Sequence, residues 1–156
     1  MAHIHQAIDF TVAAFIVYKR SVLLVDHIKL KRWLPVGGHI ELTEDPIQAL
    51  FREVEEETGI RKEDLEVEGN KPDINSDGTK FLIAPTYLDI HKISDTHQHI
   101  GLTYLIRSKT DQIKRAETEH NDLRWVDLTE LASQRYNLSK AVKFYSEEAI
   151  KSLGWD

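Results

Sequence analysis

Apolar residues are concentrated near the N-terminus in two runs, Phe10 to Tyr18 (FTVAAFIVY) and Val22 to Val25 (VLLV), parted by Lys19-Arg20-Ser21. Unbroken β-branched and aromatic runs around a short polar break predict two buried strands joined by a tight turn. The next stretch, Trp33-Leu34-Pro35-Val36-Gly37-Gly38, holds a proline and two adjacent glycines. It predicts a loop whose backbone is free to approach a ligand. The pattern then changes period. Ile47, Leu50, Phe51, Val54 and Thr58 fall on one stripe at about 100° per residue, the mark of a helix with one face on a core. Asp45 suits the N-cap, Pro46 the first helical position and Gln48 the third position of a capping box, and Gly59 is placed to end the helix. The helix is therefore expected over Pro46 to Thr58.

Beyond it, Glu68 to Lys80 is rich in turn formers and reads as an exposed, mobile loop, a lid or a long connection. Strand-like runs follow over Phe81 to Ile93 and His97 to Arg107, with Pro85 implying an edge or a bulge in the first. A short strand is expected around Arg124 to Val126 and a short helix over Leu128 to Ser133. An amphipathic helix over Ser139 to Ser152 is carried by Val142, Tyr145, Ala149 and Leu153. This order of elements predicts an α+β fold, a mixed sheet with helices packed on it.

Composition narrows what such a fold is for. At 156 residues the chain reads as a single domain over 1–156, and 41% apolar with 29% charged residues is the make-up of a globular protein. A net charge of -6 argues against wrapping polymeric nucleic acid, but does not exclude a small anionic ligand held through bridging cations. The absence of cysteine excludes disulfides, thiolate nucleophiles and Cys-ligated metal sites. No leader-like or membrane-length apolar segment is visible, so no membrane partner and a cytoplasmic location are expected.

The candidate chemistry lies beside the core stripe of the Pro46 to Thr58 helix. Glu53, Glu56 and Glu57 are spaced by three and four and so project from one side, while Ala49, one turn earlier on that arc, is expected to leave room for a ligand. Three like charges destabilise an isolated helix and become favourable around hard divalent cations such as Mg²⁺. Glu55 points elsewhere and reads as solvated.

From Gly38 to Ile60 the sequence is GHIELTEDPIQALFREVEEETGI. It resembles the Nudix signature in full: glycine, five residues, glutamate, seven residues, Arg-Glu, apolar, any, Glu-Glu, any, glycine, apolar. One departure is Val36, where many relatives have a third glycine ahead of Gly37-Gly38. The resemblance implies a mixed β-sheet sandwiched between α-helices (α/β/α), with the motif at 38–60 forming a loop, helix, loop unit. It implies hydrolysis of a pyrophosphate bond in a small nucleotide, a nucleoside diphosphate linked to another group, with Mg²⁺ or Mn²⁺ as cofactor. Carried onto this chain, it makes Glu53, Glu56 and Glu57 metal ligands, joined by a backbone carbonyl of Gly37 or Gly38. Arg52 pairs with carboxylates such as Glu44 and holds the motif loop, and Glu41 is a further candidate contact to metal or substrate. Many relatives place a catalytic glutamate six residues before a tryptophan, where this chain has Glu119 ahead of Trp125. Glu53 and Glu119 are thus the candidate catalytic carboxylates, although the loop also carries Glu117, His120 and Asp122. A possible homodimer is implied too, dimers being frequent among relatives. Isomerisation of isoprenoid diphosphates, another reaction on this fold, uses a cysteine that the chain lacks, and the intact motif argues against a non-catalytic sensor.

Two histidine pairs alternate, His3-Ile4-His5 and His97-Gln98-His99. With no cysteine or paired-histidine helix motif nearby, spacing this short does not make a zinc site, and His97 or His99 is expected near the substrate or facing solvent. Tyr104 and Trp33 are candidates for stacking a base, or for the core or surface.

Overall fold

The structure is a computed structural model that describes residues 4–156. His3 lies outside the described residues. Among the described residues, eight strands form one sheet: β1 Ile8–Tyr18, β2 Ser21–His27, β3 Arg32–Leu34, β4 Val36–His39, β5 Leu65–Val67, β6 Tyr87–Lys92, β7 Gln98–Ser108 and β8 His120–Asp127. Three α-helices of the described residues accompany it: α1 Pro46–Thr58, α2 Leu128–Ala132 and α3 Lys140–Leu153. The sheet runs β3-β2-β1-β7-β5, with β4 also paired to β1, β6 to β7 and β8 to β2. Only β1 and β7 run parallel among these pairs, in register from Ile8↔Gln98 to Val17↔Arg107. This is the mixed sheet that the pattern predicts.

Alternation along the central strand builds two cores from one sheet. Val12, Ala14 and Ile16 join Leu50 and Val54 of α1, while Phe15 and Val17 join Leu131 of α2 and Ala149 and Ile150 of α3. Strands covered on both faces need apolar side chains at successive positions, which is why the β1 and β2 runs are nearly unbroken. The β1–β2 turn is tight, as expected, with Lys19 in the left-handed region at φ 51°. No helix among the described residues is long and apolar enough to cross a membrane.

Three expectations are corrected. Trp33 to Gly38 is not a loop: β3 and β4 flank Pro35, and Gly37 and Gly38 sit in a ladder opposite Ala13 and Val12. The glycines serve close packing, because a Cβ on Gly37 would lie 2.1 Å from the Val12 carbonyl oxygen. Second, Phe81 to Thr86 is irregular, and regular pairing starts only at Tyr87. Pro85 has no N–H to give a ladder, and the Ala84 amide instead donates to Asn70 O at 3.2 Å. Third, β8 is longer than the expected Arg124 to Val126, extending back to His120.

Candidate active site

The helix that carries the carboxylates is fixed at both ends. Asp45 accepts from the Ile47 and Gln48 amides, the Gln48 side-chain oxygen accepts in turn from the Asp45 amide, and Gly59 closes the helix at φ 73° with its N–H on Glu55 O. Leu50, Val54 and Thr58 are buried on the stripe, with Ile47 and Phe51 half-buried beside them. Ala49 is also fully buried in that core, so it opens no room for a ligand. The turn of the helix aims it inward because the core stripe is wider than the five residues that mark it in sequence.

Burial divides the carboxylates. Glu53 and Glu57 are each only 3% exposed, whereas Glu56 and Glu55 face solvent. Glu53 lies against β4, where a Cβ on Gly38 would come within 2.2 Å of its Oε1. Any side chain at 38 would therefore displace that carboxylate. Burial pushes Glu53 up to about 7, with the charges of Glu57 and Glu56 adding to it against the opposing bond from Arg52. Glu57 is likewise pushed up by burial, opposed by His120.

Arg52 ties the cluster together. Its Nε and Nη2 donate to Glu44 at 3.0 and 2.6 Å, its Nη1 to Glu53 at 2.9 Å and Glu56 at 3.3 Å, and Nη2 also to His39 O at 3.1 Å. A planar fork with five donors is suited to bridging several carboxylates. Glu44 also accepts from the Glu41 amide at 2.9 Å, so Glu41 joins through its backbone while its side chain is exposed. The Gly37 amide donates to Glu57 Oε1 at 3.2 Å.

The turn before β8 completes the site from the far side. Glu119 is exposed, and one of its carboxylate oxygens lies within 4.8 Å of ligand atoms of both Glu57 and His120. His120, 1% exposed, donates from Nε2 to Glu57 Oε2 at 2.6 Å, while its Nδ1 is buried with no hydrogen-bond partner among the described residues. In the sequence His120 stands only as one of several polar residues in the Glu119 loop. Nothing local marks it, since the β2–β8 register, pairing His120 with His27, is what turns it toward the helix. Their rings meet edge to face at 5.6 Å, and burial, with His120 next, lowers the His27 pKa.

The remaining histidines gather elsewhere. His97 is 4% exposed and His99 half-buried, so neither simply faces solvent, and both stand with His39 around the fully buried Asp9. Tyr104, 1% exposed, belongs to the α1-side core, and Trp33 packs edge to face on Tyr136 at 5.0 Å.

A Nudix domain model matches residues 9–147, and the chain belongs to the Nudix family. In sequence it is 28% identical over 114 residues to a Lactococcus lactis subsp. cremoris protein named "probable DHNTP pyrophosphohydrolase", a match covering 73% of this chain and 63% of that protein. In structure it is similar to a Nudix-family hydrolase from Clostridium perfringens, with TM-score 0.78 and 30% identity over 92% of this chain and 97% of that one. An Ap4A hydrolase from C. elegans shares the fold, with TM-score 0.68 and 17% identity over 93% and 99% of the two chains.

Proposed function

We propose that the protein hydrolyses a phosphoric anhydride, splitting the pyrophosphate bond of a nucleoside diphosphate-linked compound with a divalent cation, Mg²⁺ or Mn²⁺, as cofactor. The observation that carries this reading is the convergence of Glu119 on Glu57 beside Glu53, in a chain with an intact family motif.

The donor set fits a hard cation. Glu53, Glu56 and Glu57 offer only oxygen, and one guanidinium is shared among Glu44, Glu53 and Glu56, which leaves negative charge in excess. Glu53, Glu56 and Glu57 would hold the ion, with the backbone at Gly37 close by. When bound, it supplies neutralisation of the diphosphate and of the leaving phosphate. The chain's own residues do the rest. Gly37 N–H and His120 fix both oxygens of Glu57, and Arg52 fixes Glu53 and Glu44. Glu119 takes the proton of the attacking water as the new oxygen–phosphorus bond forms and the anhydride oxygen leaves. Being exposed, Glu119 then returns that proton to solvent. Glu53, pushed up to about 7, is the other candidate base.

The names of two relatives put DHNTP and Ap4A on the panel of candidate substrates, and the motif adds nucleoside triphosphates and ADP-ribose or another nucleotide sugar. The panel is assayed for phosphate, pyrophosphate and nucleoside monophosphate release, with Mg²⁺ and with excess chelator. Turnover of at least one compound, lost in chelator, is expected. Full activity in chelator would reject the cation, and binding without turnover would favour a sensor. On the best substrate, Glu119→Gln should lower kcat by about 10²–10⁴-fold with metal affinity kept. Near wild-type kcat in Glu119→Gln, with loss in Glu53→Gln while metal stays bound, would move the base to the helix.

A further inference from the structure

The sheet carries a second convergence of metal-ligating side chains, apart from the carboxylate helix. In the paired register Asp9 stands opposite His99 and Thr11 opposite both His39 and Gly101. Residues directly opposite share a face, and so do residues two apart on a strand, which puts Asp9, His39 and His99 together. That face is the one on which Phe15 and Val17 meet α3, whereas the neighbouring Gly38 faces Glu53. The cluster and the motif carboxylates therefore lie on opposite faces of the sheet.

We propose that Asp9, His39 and His99, with His97 beside them, form a binding site for a late first-row divalent cation of the zinc type. One ligand atom from each of Asp9, His39 and His99 lies within 4.8 Å of the others. Nε2 of His39 and Nε2 of His97 each stand 3.2 Å from Asp9 Oδ2. The His99 ring meets that of His39 at 4.8 Å and that of His97 at 5.3 Å, both nearly perpendicular.

The donor chemistry decides the class of ion. Imidazole nitrogen with one carboxylate suits Zn²⁺ and its neighbours, while Mg²⁺ requires oxygen, so the two clusters select different metals. The Asp9 carboxylate is itself positioned, accepting from the Ile4 amide at 3.2 Å and the His5 amide at 2.6 Å. Outer hydrogen bonds of this kind orient a ligating carboxylate. The exposed His91 stands ring to ring with His99 at 5.7 Å. A bound ion would join β1, β4 and β7 at one point. His39 O accepts from Arg52, so the ion would also anchor the strand that leads into the motif loop.

The test is titration of chelator-stripped full chain with Zn²⁺ in excess Mg²⁺. One tight Zn²⁺ per chain is expected in the wild type and in Glu57→Gln. In His99→Gln and His39→Gln, affinity should fall by more than roughly 100-fold, beyond the ~10–100-fold typical of losing an outer-shell partner. Unchanged binding in folded His99→Gln, loss in Glu57→Gln, or no tight binding to the wild type overturns the proposal. Should the histidine variants fail to fold, X-ray absorption of wild type loaded with one equivalent of Zn²⁺ decides. A shell with two or more imidazole nitrogens supports the site, and a shell with one or none, as the Glu57, Glu119 and His120 group would give, overturns it.

Discussion

Glu53 is held where its charge is unfavourable even with the Arg52 guanidinium beside it. Its pKa rises from 4.5 to about 7 through burial first, then the repulsion of Glu57 and Glu56. Because the folded value is above the unfolded one, the neutral carboxyl contributes stability fully below about 4.5, and that contribution is lost as pH rises through about 7. In chelator, Glu53→Gln should therefore be more stable than wild type near pH 8 by on the order of 1–3 kcal/mol, with the gap closing toward pH 4. Urea melts at the two pH values check this, and a variant weaker than wild type at both rejects it. The motif carboxylates were legible because their relation is local, three and four residues apart on one helix. His120 and the Asp9, His39, His99 group were not, since strand pairing assembles them from stretches 30 to 90 residues apart.

Helix α1 is capped at its start by Asp45, whose carboxylate accepts from the Ile47 and Gln48 amides. Burial raises the Asp45 pKa, but the bond from Lys80 and those from the Gln48 and Ile47 amides outweigh it, and the net shift is downward from 3.8. Lys80 reaches it from the exposed loop, Nζ to Oδ2 at 2.8 Å. A depressed folded pKa gives stability that is present above about 3.8 and lost as pH falls through the folded value. Asp45→Ala should cost about 1 kcal/mol at neutral pH, with the difference shrinking in acid, as denaturant melts across the range would record. An equal cost at all pH values would leave only neutral capping. The helices were legible because their caps are written in adjacent residues, Asp45 to Gln48 for α1 and Ser139 for α3. Short strands were harder. β3 and β4 span three and four residues around Pro35, and what makes them strands is β1 and β2 alongside, not their own composition.

Across the whole molecule, the proposed active site exists only in the folded chain, because its parts come from β4, α1 and the turn before β8. Any ligand of it must therefore stabilise the fold by linkage. The cluster holds more carboxylates than cations, so a nucleotide added alone meets like charge, and a cation added alone lacks the phosphate oxygens that would complete its shell. Each should strengthen the other. A tenfold mutual gain in affinity is about 1.4 kcal/mol, which for a chain of this size is roughly 3–6 °C in Tm. A non-hydrolysable diphosphate analogue with Mg²⁺ should thus raise Tm beyond the sum of the two separate shifts by at least about 3 °C. In Glu57→Gln the excess should largely vanish, since that carboxylate is fixed by both Gly37 and His120 and stands at the centre of the cluster. Thermal melts at saturating concentrations give the answer: shifts that merely add, in wild type as in the variant, would mean that nucleotide and cation bind at separate places.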